Sequence, residues 1–142
     1  MTIERAVVDT NVLIGAALSP RSASAQIVDY LLQHAVLVFS RETFEEFETR
    51  LWRPKFDRYL SIDRRQLLIH DFSAAAQWVD LPTPPRPAYS RDPNDGMFLH
   101  TAIQGSVEWL ISGDKDLLEL LPTDWEFEIL SPAQALEKRC LD

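Results

Sequence analysis

The sequence predicts an α/β fold: three layers, α/β/α, around a central parallel sheet of four to five strands. Three observations predict it. Short apolar runs with β propensity recur at Ala6–Val8, Ala35–Phe39, Val107–Ile111 and Glu126–Leu130, too short for helices and apolar enough for strands buried on both faces. Between them lie segments with apolar residues at helical spacing, so that strands and helices alternate as βαβ units do. At 142 residues, 46% hydrophobic and 25% charged, the chain has the size and composition of one domain, taken as residues 1–142, with a real core.

The elements follow in order. Val7-Val8-Asp9-Thr10-Asn11 ends the first strand on a carboxylate, and Val12 to Leu18 reads as a helix. Ser19-Pro20 breaks it. A helix from about Ser22 to Gln33 carries the stripe Ile27, Val28, Leu31 and Leu32. Ser40 is placed to cap the next helix, with Phe44, Phe47 and Leu51 on its core face and an end at Arg53, before Pro54. A longer helix is expected over Asp63 to Val79, burying Leu67, Leu68, Phe72, Ala75 and Ala76. Leu81 to Pro93 is a proline-rich loop. Asn94-Asp95-Gly96 opens a helix through Ile103, with Gly105 as the residue beyond its end. Ser112 to Asp116 is a turn, Leu117 to Leu121 a short helix stopped by Pro122, and Ser131-Pro132 starts a last helix through Lys138.

Composition narrows the function classes. No apolar run approaches the ~20 residues of a membrane span, and Glu4, Arg5 and Asp9 stand where a secretory leader would need apolar residues. A single cysteine, Cys140, offers neither a disulfide framework nor a thiolate metal site, so a cytoplasmic protein without a membrane partner is expected. The net charge of −8 argues against gripping nucleic acid by bulk electrostatics. The charge is uneven, however. Six basic residues from Arg50 to Arg65 face only Asp57 and Asp63, so that window is +4 and the remainder −12. It could meet substrate phosphates through Arg53, Lys55 and Arg58, or be a solvated face of ion pairs.

Four places carry acids: Asp9; Glu45, Glu46 and Glu48; Asp92 and Asp95; Asp114 and Asp116. The C-terminal ends of parallel strands share one edge of a sheet, so groups far apart in sequence can converge there. Oxygen ligands suit Mg²⁺ or Mn²⁺, and two such ions can drive phosphodiester hydrolysis. Each acid alone has a plainer use. Asp9 or Asp95 could be a helix cap, Asp114 a turn residue, and Glu46, pointing away from the Phe44/Phe47/Leu51 stripe, a solvated side chain. His34, His70 and His100 share no motif, and no serine or cysteine nucleophile signature is present.

Four stretches together are similar to the PIN-domain ribonucleases, in the VapC-like branch identified with toxins of toxin–antitoxin systems. They are Val-Val-Asp-Thr-Asn-Val-Leu-Ile at 7–14, Glu-Glu-Phe-Glu-Thr-Arg-Leu-Trp-Arg-Pro-Lys-Phe at 45–56, Arg-Asp-Pro-Asn-Asp-Gly-Met-Phe-Leu at 91–99 and Ile-Ser-Gly-Asp-Lys-Asp-Leu-Leu at 111–118. The resemblance implies a PIN-like fold. It places Asp9, Glu46, Asp95 and Asp114 on the family's catalytic acidic quartet and Asp116 on a frequent fifth acid, all five as ligands of Mg²⁺ or Mn²⁺. Asn11 falls on the residue that orients the first aspartate, Ser112 on a hydroxyl position, and Asp92 beside the third acid; Gly96 departs from the family's polar residue there. The implied function is metal-dependent endoribonuclease action on an RNA substrate, with a cognate antitoxin protein and a homodimer as partners. A nuclease scaffold kept as an RNA- or protein-binding module is the alternative. An aspartyl-phosphatase reading fails on Asn11, which stands where a second aspartate is needed.

Overall fold

A computed structural model of the protein describes residues 3–81, 93–120 and 125–139, with the backbone alone at 93–95. The strands are β1 (Arg5–Val8), β2 (Val36–Ser40), β3 (Gln77–Val79), β4 (Trp109–Ile111) and β5 (Glu128–Leu130). The helices are α1 (Thr10–Leu18), α2 (Ala23–His34), α3 (Arg41–Leu51), α4 (Ile62–Ala75), α5 (Pro93–Gly105), α6 (Lys115–Leu118) and α7 (Pro132–Arg139). A 3₁₀ turn, Pro54–Phe56, follows α3.

All pairings are parallel and the sheet order is β3-β2-β1-β4-β5. The chain leaves β1 toward β2 on one side and later returns to β4 on the other. β1 is therefore the switch point of the sheet, where open α/β folds have a crevice beyond the strand ends.

Alternation along the strands sorts the core into two layers. Ala6, Val8, Leu37, Phe39, Trp109 and Ile111 face one side, packed with Leu13, Ile27, Leu31, Phe47 and Phe72 from α1 to α4. Val7, Val38 and Leu110 face the other, against Phe98, Leu99 and Ala102 of α5 and Leu117 of α6. That arrangement is the expected three-layer α/β/α sandwich with five strands. Among the described residues, no helix is long and apolar enough to cross a membrane.

Five local expectations are corrected. The short helix expected over Leu117 to Leu121 runs instead over Lys115–Leu118, starting inside the expected turn. The helix expected over Asp63 to Val79 ends at Ala75, and Gln77–Val79 pairs with β2 as an edge strand. Within α4, Leu67 is 50% exposed and Ala75 is exposed, whereas Arg65 and Phe72 are buried. α3 stops at Leu51, two residues short of Arg53. Gly105 closes α5 from inside, and the left-handed residue after it is Ser106, at φ 50°. Close packing explains the glycine: a Cβ at position 105 would sit 2.7 Å from Val38 Cγ1, where α5 crosses β2. The proline-rich loop, Pro122 and Cys140 lie outside the described residues.

Candidate functional site

Asp9 follows the last residue of β1, and its backbone N–H extends the ladder to Ile111 O at 2.9 Å. Two strands thereby hold one carboxylate at the switch point. The side chain is 6% exposed. It occupies the N-cap position of α1 without completing a side-chain cap hydrogen bond. Ser112, fully buried just past β4, donates from Oγ to Asp9 Oδ2 at 2.7 Å and accepts from the Asp114 backbone N–H at 3.0 Å. One hydroxyl thus ties the first carboxylate to the loop carrying Asp114.

Burial holds the Asp9 carboxyl above the ordinary carboxylate range, and the neighbouring charge of Asp114 raises it further. Against these act the Ser112 hydroxyl, the backbone amide of Asn11 and the charge of Arg50. A buried acid kept this costly to ionise, with a second acid facing it, is the electrostatic setting that a bound cation relieves.

Glu46 is positioned by α3, whose start is fixed by a reciprocal cap: Thr43 N–H donates to Ser40 Oγ at 3.2 Å and Ser40 N–H to Thr43 Oγ1 at 3.0 Å. Phe44 and Phe47 clamp the same helix, Phe44 lying 5.1 Å ring to ring from both Phe39 and Trp78. Glu46 is only 11% exposed at its side chain, not the solvated group that its flanking glutamates suggest. Thr10 Oγ1 donates to Glu46 Oε2 at 2.7 Å, and Arg50 Nη2 meets Glu46 Oε1 at 2.7 Å. Arg50 Nη1 also donates to Asn11 Oδ1 at 3.3 Å. The side chain of Asn11 therefore faces Arg50, and it is its backbone that favours the Asp9 charge.

Asp114 caps α6, its Oδ1 accepting from the Asp116 backbone N–H at 2.9 Å, and Asp116 is exposed. A cleft of about 280 Å³ is lined by Asn11, Val12, Ser24, Gly113, Asp114 and Pro132. A larger, mostly apolar groove of about 400 Å³, lined by α1, α2 and α4, touches none of these acids. Asp95 sits in the first turn of α5 with its side chain outside the described residues, and Asp92 lies outside them altogether. Arg53, Lys55 and Arg58 are exposed in and around the 3₁₀ turn.

The structure thus brings Asp9, Ser112 and Asp114 together and ties Glu46 to the start of α1, directly through Thr10 and by way of Arg50 to Asn11. Among the described residues no group of three or more acids, histidines or cysteines stands close enough to hold a metal ion. The Asp9–Asp114 pair fits a hard cation in kind, since its donors are carboxylate oxygens. Two contributors are not apparent from the motifs alone. Thr10 shows in sequence only as a turn residue, and Arg50 only as one of six clustered cations, although its i,i+4 spacing from Glu46 is a readable pairing signal.

Comparison with known proteins places the chain in a family. An uncharacterized protein of Methanocaldococcus jannaschii, MJ1680, is 28% identical over 120 residues, which span 82% of this chain and 74% of that protein. The fold is similar to PAE2754 from Pyrobaculum aerophilum, with a TM-score of 0.62 at 12% identity over 98% of this chain and 91% of that one. It is also similar to VapBC2 from Rickettsia felis, solved bound to a DNA fragment from their promoter, with a TM-score of 0.58 at 10% identity over 89% of this chain and 98% of that one. A family model described as PIN domain matches residues 5–116, from the first strand to the last of the acids, and the chain belongs to that family, whose members are generally nucleases.

Proposed function

We propose that the protein is a metal-dependent endoribonuclease of the cytoplasm, acting as the toxin of a toxin–antitoxin pair, with an antitoxin protein as partner and a homodimer as its working form. The observation that carries the reading is the buried Asp9 carboxylate at the switch point, bonded to Ser112 and facing Asp114. Asp9, Glu46, Asp95 and Asp114, with Asp116, would hold Mg²⁺ or Mn²⁺. Such an ion supplies an activated water at neutral pH and offsets charge on the phosphodiester under attack.

The chain's own residues do the rest. Ser112 orients Asp9 and fixes the loop of Asp114, so that the two carboxylates are set before an ion arrives. Thr10 holds Glu46 against α1. The exposed cations Arg53, Lys55 and Arg58 offer an RNA backbone a path that begins within two turns of Glu46. The toxin role rests on family membership together with the fold likeness to VapBC2.

A second reading, an RNA- or protein-binding scaffold without catalysis, is favoured by one observation: a guanidinium already neutralises Glu46. The two separate in one experiment. Purified wild type, Asp9→Asn and Asp95→Asn are each incubated with single-stranded and structured RNAs, in Mg²⁺, in Mn²⁺ and in chelator. Cleavage by wild type in metal alone, lost in both variants, is expected. Wild type that binds these RNAs and never cuts them, or Asp9→Asn cutting at the wild-type rate, would overturn the nuclease reading.

A further inference from the structure

Among the described residues, Arg50 is the positive charge that contacts an expected metal ligand. Its guanidinium spans two elements, meeting Glu46 Oε1 at 2.7 Å on its own helix and Asn11 Oδ1 at 3.3 Å on α1. With Thr10 on Oε2, both oxygens of Glu46 are engaged without any ion. The pair is well shielded, with side chains only 24% and 11% exposed, unlike the exposed i,i+4 pair Arg41–Glu45 on the same helix. The charge of Arg50 also reaches Asp9.

We propose that Arg50 is a positioning residue that serves as an internal cation: it holds Glu46 and Asn11 in the metal-free protein, competes with the divalent ion for Glu46, and so sets the metal affinity of the site. This rests on the metal-dependent reading above and deepens it. The reason is charge. A divalent ion arriving beside Glu46 either displaces the guanidinium or stands next to it, and both oppose binding. Arginine suits this role because its fork engages two acceptors at once and keeps its proton. The consequence is a site that stays ordered when empty and fills only at higher ion concentration.

The test is calorimetric titration of Mn²⁺ into wild type, Arg50→Gln, Arg50→Lys and Asp9→Asn at constant ionic strength, with a melting curve for each. Arg50→Gln should bind Mn²⁺ on the order of tenfold tighter, the effect of removing one unit charge a few Å from a divalent ion in a water-like dielectric. Arg50→Lys keeps the charge and should stay near wild type, and Asp9→Asn should lose binding. A merely structural Arg50 would give Arg50→Gln a lower melting temperature and an unchanged Kd. Arg50→Gln binding no tighter than wild type, with binding still lost in Asp9→Asn, overturns the internal cation and leaves the metal site standing. No Mn²⁺ bound by any of the four overturns the metal site and, with it, this role.

Discussion

Asp9→Asn should stabilise the metal-free protein. In the fold, the Asp9 carboxyl lies above its ordinary value because burial disfavours its charge and Asp114 repels it. The sign follows from linkage. A carboxyl with a raised folded pKa binds its proton more tightly in the native state, so this group's contribution to stability falls as pH rises through that pKa. Above it, the whole cost of the buried charge is present. Asparagine removes the charge and keeps an acceptor for the Ser112 hydroxyl, which sits 2.7 Å from Oδ2.

The magnitude is a difference of two terms. Relief of the desolvated charge is worth roughly 2 kcal/mol, and a weakened Ser112 bond with an amide lacking a full partner returns about 1. The net is about 1 kcal/mol, or ~3–5 °C in Tm for a domain of this size. The assay is urea unfolding of both proteins in chelator from pH 8 down to the ordinary carboxylate value of 3.8, from which burial raises Asp9. The gap should be widest at pH 8 and close as the pH falls. With Mn²⁺ a hundredfold above Kd, wild type should gain about 2.7 kcal/mol and overtake the variant. A variant less stable than wild type in chelator at pH 8, or a gap that ignores pH, would refute the electrostatic account of Asp9.

Three further outcomes are expected. Ser112→Ala, which leaves Asp9 and the Asp114 amide without their shared partner, should lower stability by about 2 kcal/mol in urea unfolding and weaken Mn²⁺ binding. Arg65 is 3% exposed and pairs through Nη1 with Asp57, while Nε and Nη2 find no acceptor among the described residues; Arg65→Met, which fills the same space, should be neutral or stabilising by ~1 kcal/mol, and Arg65→Ala destabilising by ~2–3 kcal/mol. Replacing Arg53, Lys55 and Arg58 together by glutamine should flatten the log–log salt dependence of single-stranded RNA binding by about 2, and an unchanged slope would return them to a solvated face.

The layers were legible because burial on both faces of a parallel sheet leaves runs such as Ala6–Val8 and Leu37–Phe39 with no polar break. The switch-point acid was legible because Asp9 interrupts such a run. β3 was not. Ala74-Ala75-Ala76 continues a helical pattern through the strand's start, and Gln77-Trp78-Val79 lies at an edge, where half-exposed residues carry no alternating signal. Arg65 defeated the pattern in the other direction, since the guanidinium lies over the Trp52 ring at 5.3 Å and an arginine stem can replace an aliphatic residue in contact while Leu67 turns outward. The burial of Glu46 was unreadable for a different reason. It stands off the Phe44/Phe47/Leu51 stripe beside exposed Glu45, and its shielding involves Thr10, thirty-six positions away and brought near only by the fold.

An acidic protein that acts on a polyanion must solve a charge problem, and the placement of Arg50 bears on it. The acids sit at the end of β1 and in the loop after β4, while the +4 window opens at Arg50, inside the same cluster, and continues through exposed Arg53, Lys55 and Arg58. A phosphate chain following the cations would reach the acids along the basic window. The last cation on that path is held by Glu46, so an ion that takes Glu46 frees a guanidinium beside the arriving phosphate. Metal and RNA would then favour each other's binding, and by reciprocity an RNA with hydrolysis-resistant linkages should tighten Mn²⁺ binding by the same factor as Mn²⁺ tightens that RNA. Equal factors well above one in wild type, falling toward one in Arg50→Gln, are the expected result, and factors of one in wild type would remove Arg50 from the path.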